Sequence, residues 1–411
     1  MKLKHLHYSW VMVIIAVCIQ TAFTVPLATF GVFLIPLTTE FNWDRGALSV
    51  AVSIFMLIMG FFGIFSGRLS DKYGPRPLVT ITGLLIGIGF LLMSQISSLG
   101  QIYIIWGLVI SAGAATCFIP IMSTIPKWFA KKRGIAVGIT FTGIGLGGLI
   151  GPLLAQWLLS SYGWKQAYVI LGLIASIIII PLAQFMKHSP QRIGLRPYGE
   201  DGTIEDTQSS ASIVGGLSFR QAIRTDHFWL YGLTLFCFFF AISVINVHIA
   251  PYAVDVGFSA MTAASLLSMM HGGSVIGRFS MGFISDKIGP RRALTACLVT
   301  VTLALAWLLF AQGIWMLYVF AVLFGIAYGG IATLLTLVPT ELFGLGFLGI
   351  IFGAIRFFGT IGEAVGPFLA GSIFDVTGSY RLALLTCVIF GVLATILSLV
   401  LLRARGLRGG D

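Results

Sequence analysis

Apolar residues fall into twelve runs of more than twenty residues each, and this leaves the chain few folds to adopt. A helix needs roughly 20 apolar residues to cross the hydrocarbon core of a bilayer. The runs lie near 9–37, 46–70, 77–97, 100–127, 134–161, 165–186, 227–254, 261–285, 291–312, 314–339, 346–373 and 381–403. In lipid the backbone must satisfy its own hydrogen bonds, so such runs become helices. Hydrophobic residues make up 57% of the chain and charged ones 9%, against roughly a quarter charged in soluble domains. The expected fold class is an all-α integral membrane protein with twelve transmembrane helices. The first run follows a short basic stretch, Met1 to Tyr8, and has no small-residue cleavage site, so it reads as a membrane helix and not as a signal peptide.

The net charge of +11 raises the question of nucleic acid, but the basic residues sit in short clusters between apolar runs, which excludes it. With the N-terminus placed in the cytoplasm, twenty Lys and Arg fall on cytoplasmic segments and three (Arg45, Lys165, Arg381) on outer ones. That bias sets the orientation, so both termini are expected to be cytoplasmic in a multi-pass protein of the plasma (inner) membrane. Two arginines remain, Arg278 and Arg356, each inside a span. The cysteines Cys18, Cys117, Cys237, Cys297 and Cys387 all lie in apolar runs without CxxC spacing. They read as buried small hydrophobes with no disulfide or metal role.

The one long polar stretch divides the chain into an N-terminal six-helix half (1–187), a cytoplasmic linker (188–226) and a C-terminal six-helix half (227–411). Within the linker, Ser218 to Ile223 has the makings of a short surface helix. The halves repeat. Gly67-Arg68-Leu69-Ser70-Asp71-Lys72-Tyr73-Gly74-Pro75-Arg76 returns as Gly282-Phe283-Ile284-Ser285-Asp286-Lys287-Ile288-Gly289-Pro290-Arg291, an offset of 286 − 71 = 215. The same offset carries Gly151-Pro152 onto Gly366-Pro367 and Gly163 onto Gly378. Two parallel repeats of this kind place the expected substrate site between pseudo-symmetric halves, near the midplane.

The run Gly67 to Arg76, with its copy between the eighth and ninth spans, resembles the signature loop of the major facilitator superfamily. The resemblance implies that fold and a cytoplasmic gate motif at Gly67, Asp71, Arg76, Gly282, Asp286 and Arg291. There glycine allows close helix packing, and the charged residues pair with one another or with helix ends. Gly143 to Pro152 and Gly359 to Pro367 resemble the superfamily's Gly-rich packing motifs. A dinucleotide-binding reading fails because no strand precedes them. The resemblance narrows to monocarboxylate transporters and their oxalate–formate relatives on three runs: Trp128 to Gly138, His248 to Gly257, and Arg278-Phe279-Ser280-Met281-Gly282-Phe283. Two departures stand out. Leu27 and its neighbours replace the lysine that eukaryotic members carry in the first span, and Ser274 replaces their aspartate four residues before the arginine. The family's proton relay therefore does not transfer residue by residue.

Charge inside a span is expensive and marks function by default. Arg278 offers a planar fork suited to a carboxylate, and His271, Ser274 and Arg278 share one face of the eighth span at i, i+3 and i+7. Arg356 is either a second anion ligand or the partner of Glu363, seven residues on. Glu363, Asp255 and His248 are the candidate proton carriers, and His248 is a candidate substrate ligand as well. Histidine titrates near neutral pH, and His248 and Asp255 flank Pro251, which is expected to break or kink the seventh span. Asn246, Tyr328 and Thr333 lie on spans that line the cavity in the superfamily. The triple Phe238-Phe239-Phe240 reads as packing.

These residues point to a secondary transporter of small monocarboxylates of the lactate or pyruvate type, running as a proton symporter by alternating access. It is expected to act as a monomer in a lipid bilayer, with a small organic anion and protons as partners, no cofactor and no enzymatic activity. The alternatives are an organic anion exchanger of the oxalate/formate type and, from another class, a non-transporting membrane sensor of organic acids.

Overall fold

The structure, a computed structural model, describes residues 7–199, 217–344 and 348–403. The linker's acidic and serine-rich stretch at 200–216 lies outside the described residues. Ten described segments are long and apolar enough to cross a membrane. Two further crossings complete twelve. The segment Ile135–Phe185 is two spans in one, and the helix Ala260–Ile288 is long enough but carries His271, Arg278 and Asp286.

By internal contacts the chain divides into two units, Met1–Asp201 with Ile249–Ser268, and Gly202–His248 with Met269–Asp411. In the first unit α1 (Tyr8–Leu27) and α2 (Phe30–Phe41) form one interrupted span. Pro26 lacks an N–H, and just after it Thr29 turns its own hydroxyl onto the Pro26 carbonyl at 2.6 Å. Next come α3 (Arg45–Tyr73), α4 (Pro75–Met93), and a fourth span made of α5 (Leu99–Ile104), a π-helical turn (Ile105–Ile110) and α6 (Ser111–Thr124). The 53-residue α7 (Arg133–Phe185) is broken at Gly163, whose φ of 78° and ψ of 171° only glycine adopts without strain.

The start of the family-like junction, which runs from Trp128 to Gly138, holds Tyr198 of the expected linker. Tyr198 donates its backbone N–H to the Trp128 carbonyl at 2.9 Å, and its own carbonyl accepts from Ala130 at 3.0 Å. The expected surface helix is present as α8 (Phe219–Ala222), a single turn closed by a capping box between Ser218 and Gln221.

The other helices are α9 (Asp226–Asp255), α10 (Ala260–Ile288), α11 (Pro290–Leu308), α12 (Ile314–Phe343), α13 (Leu348–Thr377) and α14 (Arg381–Arg403). Helix α9 runs unbroken through Pro251, so the expected break is absent there. A proline inside a helix removes one ladder bond, and here the rest of the ladder carries the helix on. Four of the cysteines are buried, but Cys18 is exposed, because it lies on the outward face of α1 and not in its core stripe.

The repeat seen in the sequence is a repeat of packing. A Cβ on Gly147 would come within 2.6 Å of the Thr21 carbonyl oxygen, and one on Gly151 within 2.4 Å of that of Val25. Their counterparts Gly362 and Gly366 stand against the Phe236 and Phe240 carbonyls, at 2.3 and 2.6 Å. Both the glycines (362 − 147) and the carbonyls (236 − 21) are 215 residues apart. The Gly-rich motifs are therefore surfaces where two helix backbones touch, as small residues allow in lipid. Gly74 and Gly289 match as well, with φ of 84° and 88° and each N–H bonded at 2.9 Å to Ser70 or Ser285.

Candidate functional site

Arg278 owes its position to a crossing of two glycine pairs. On α10, Gly273 and Gly277 face the backbone of Val322 to Gly330; on α12, Gly325 and Gly329 face Met270 to Ser274. Each pair is spaced by four residues, which puts both glycines on one side of their helix. A Cβ on Gly277 would lie 1.9 Å from the Ile326 carbonyl oxygen, and one on Gly329 2.0 Å from that of Ser274. At this contact the half-buried Arg278 meets the hydroxyl of Tyr328, and the Tyr328 ring stands edge-on to buried His271 at 6.3 Å. Thr333 bonds to the Arg278 carbonyl at 3.1 Å. Ser274 is fully buried beneath Gly329 and donates to the His271 carbonyl at 2.7 Å. It shares the helix face expected of it but lies in the crossing.

Arg356 is held differently. Its Nη2 spans both oxygens of Glu363, at 2.9 and 3.0 Å, and its guanidinium lies 4.0 Å above the Phe239 ring. Nη1 is buried with no partner among the described residues. Arg356 is thus neutralised within its own helix and keeps the two N–H donors of Nη1 to spare. Phe239, read from sequence as packing, is a cation–π platform.

His248 is buried and clamped at both ring nitrogens, by the Tyr380 hydroxyl at 3.0 Å and the Pro367 carbonyl at 2.9 Å. A carbonyl only accepts, so Nε2 carries the proton and Nδ1 accepts from Tyr380 in the neutral ring. Asp255 lies at the end of α9 and forms a two-pronged pair with Arg45, at 2.5 and 2.9 Å. Asn246 is half-buried, and its Oδ1 has no partner among the described residues.

Among the residues of the expected gate motif, Arg76 donates from Nε to Gln184 at 2.8 Å, and Arg291 does the same to Glu341. A Cβ on Gly67 would touch Ile119 at 3.6 Å. Gly282 has open space around it and is not at a close crossing. Asp286 is exposed and makes no ion pair among the described residues. Asp71 falls in the last turn of α3, and its side chain lies outside the described residues.

Sequence reasoning passed over Gln20 and Thr24. Both are buried on α1, one turn apart and facing the Gly-rich stretch of α7, and neither Gln20's amide nor Thr24's hydroxyl finds a partner among the described residues. A glutamine within an apolar run was the available signal.

The Major Facilitator Superfamily family model matches residues 12–297 and 272–409. The chain belongs to that superfamily. It is 29% identical to monocarboxylate transporter 13 of Rattus norvegicus over 91% of this chain and 84% of the relative. It is 31% identical to the MFS-type transporter opdF of Penicillium oxalicum, over 83% and 76%, and 26% identical to the uncharacterized MFS-type transporter YcxA of Bacillus subtilis, over 90% of each. Among solved structures, a bacterial homolog of the human lysosomal transporter Spinster, in an inward-facing and occupied conformation, superposes with a TM-score of 0.77 at 17% identity, over 97% of both chains. The chain is thus a multi-pass transporter of this superfamily and not an enzyme.

Proposed function

We propose that this transporter carries small monocarboxylates of the lactate or pyruvate type together with protons, by alternating access. In this reading 1–187 and 227–411 are the two moving halves, 188–226 is the linker, and both termini face the cytoplasm from the plasma membrane. The observation that carries the substrate class is the contrast between the two membrane arginines. Arg356 is bound by Glu363 in its own helix, whereas Arg278 is set against a phenol and an imidazole. A guanidinium oriented by a phenol offers its planar fork to one carboxylate. A dianion such as oxalate would call on two, and the second is already balanced. The rat relative named a monocarboxylate transporter points the same way.

In the proposed cycle the substrate carboxylate pairs with Arg278, while Tyr328 holds the guanidinium in place. A proton travels with the anion, so that loading adds no net charge to the carrier. Glu363 is our first choice of proton carrier, because neutralising it would release Arg356 from its partner and so report the proton's arrival within one helix. Asp255 and His248 are the others, each needing its Arg45 or Tyr380 contact to rearrange.

The test is uptake of radiolabelled L-lactate into proteoliposomes under an inward proton gradient. Accumulation that needs the gradient and collapses with a protonophore supports the reading. Counterflow of oxalate against formate without any pH requirement would replace it with exchange. Lactate binding with no accumulation of any solute would replace it with a sensor.

A further inference from the structure

We infer that the second unit holds one anionic phospholipid by its phosphate, in a basic cleft at the end of α10, α11, α12 and α14. The cleft has a volume of about 430 Å³ and is lined by Ile288, Gly289, Arg291, Arg292, Glu341, Leu402 and Arg403. Arg291 is engaged by Glu341 at 2.8 Å and by the Leu401 carbonyl at 3.3 Å. Arg292 and Arg403 are exposed and make no hydrogen bond or ion pair among the described residues. With Glu341's carboxylate set against Arg291, two guanidinium groups are left over, and guanidinium recognises phosphate oxygens two at a time.

The internal repeat supplies the control. At the 215-residue offset, Arg292 corresponds to Pro77, Glu341 to Pro126 and Arg403 to His188. In the first unit that space is filled, because a Cβ on Gly74 would meet His188 at 3.1 Å, whereas one on Gly289 would meet nothing within 4 Å. The second unit therefore departs from the repeat by opening a space and adding arginines to it. The surroundings favour a lipid over a soluble phosphate. Phe283 is 73% exposed and Val400 46%, each a turn or so along its helix from the cleft, which gives acyl chains an apolar wall. Basic pockets between membrane helices on the cytoplasmic side are where anionic headgroups settle.

The test is native mass spectrometry of the full chain released from mixed phosphatidylglycerol–phosphatidylcholine bilayers. One retained phosphatidylglycerol is expected. An arginine near an anionic headgroup is worth roughly fivefold in affinity, so Arg292→Gln with Arg403→Gln should lower that retention by about 25-fold. Lys165→Gln, on a basic residue of the first unit that does not line the cleft, should leave it unchanged. Retention by the double variant at the wild-type level would overturn the proposal, as would an equal loss in Lys165→Gln. Displacement of the lipid by inorganic phosphate that is itself retained would also overturn it, by assigning the cleft to a soluble anion.

Discussion

A buried amide without a partner costs about 1–3 kcal/mol relative to one that is satisfied. Gln20 leaves both its amide oxygen and nitrogen in that state, at 0% exposure, where α1 meets the Gly-rich stretch of α7. Folding alone would favour leucine there. Gln20→Leu should raise the thermal stability of the purified protein and lower lactate uptake; unchanged uptake in a stabilised variant would make Gln20 a packing residue only. Such residues were only partly legible in the sequence. Arg278 and Arg356 stand out because charge in a span is costly, and the pairing of Arg356 with Glu363 is readable from their spacing of seven. That Arg45 pairs with Asp255, or Tyr380 with His248, is not, because those partners lie 210 and 132 residues apart and only the fold brings them together.

At the scale of helices, the glycine crossing of α10 and α12 fixes what Arg278 can reach. Gly329→Ala would push a methyl group into the Ser274 backbone, which cannot give way as a flexible side chain would. Overpacking of this kind costs roughly 1–3 kcal/mol, and it should separate Arg278 from Tyr328. The expected outcome is lower thermal stability with uptake lost out of proportion to the protein that remains folded; normal uptake would show that the crossing tolerates a wider spacing. The α9–α10 turn is tied to its unit by the Arg45–Asp255 pair, whose side chains are 13% and 30% exposed. An ion pair this open to solvent is worth about 1 kcal/mol at most. Asp255→Ala should therefore speed amide exchange across 249–268 by about fivefold at most, measured by hydrogen–deuterium exchange. No change would mean that the turn is held by apolar packing alone. The spans themselves were legible to within a few residues, because length and hydropathy decide them. The interruption after Pro26 and the unbroken passage through Pro251 were not, since proline permits either outcome and neighbouring contacts choose.

Over the whole molecule, the 215-residue repeat ties sequence to architecture most directly. It recurs in glycines, in the carbonyls they rest on and in the positive-φ turns at Gly74 and Gly289. Where the repeat is kept it builds the scaffold. Where it lapses, charge enters the spans: Arg278, Arg356 and Glu363 correspond to Gly63, Phe141 and Gly148. The Gly-rich crossings could be read as packing from sequence alone, but the division of labour between the two arginines could not. That division is the centre of the account, and lactate uptake by two variants tests it. Arg278→Gln should lose proton-driven uptake by about a hundredfold or more, the scale set by removing a charge-assisted carboxylate contact. The double variant Arg356→Gln with Glu363→Gln, which removes a balanced pair, should still bind lactate, shown by counterflow, even where coupling to the proton gradient is lost. Retained uptake in Arg278→Gln, or loss of counterflow in the double variant alone, would contradict the account and move the carboxylate to Arg356.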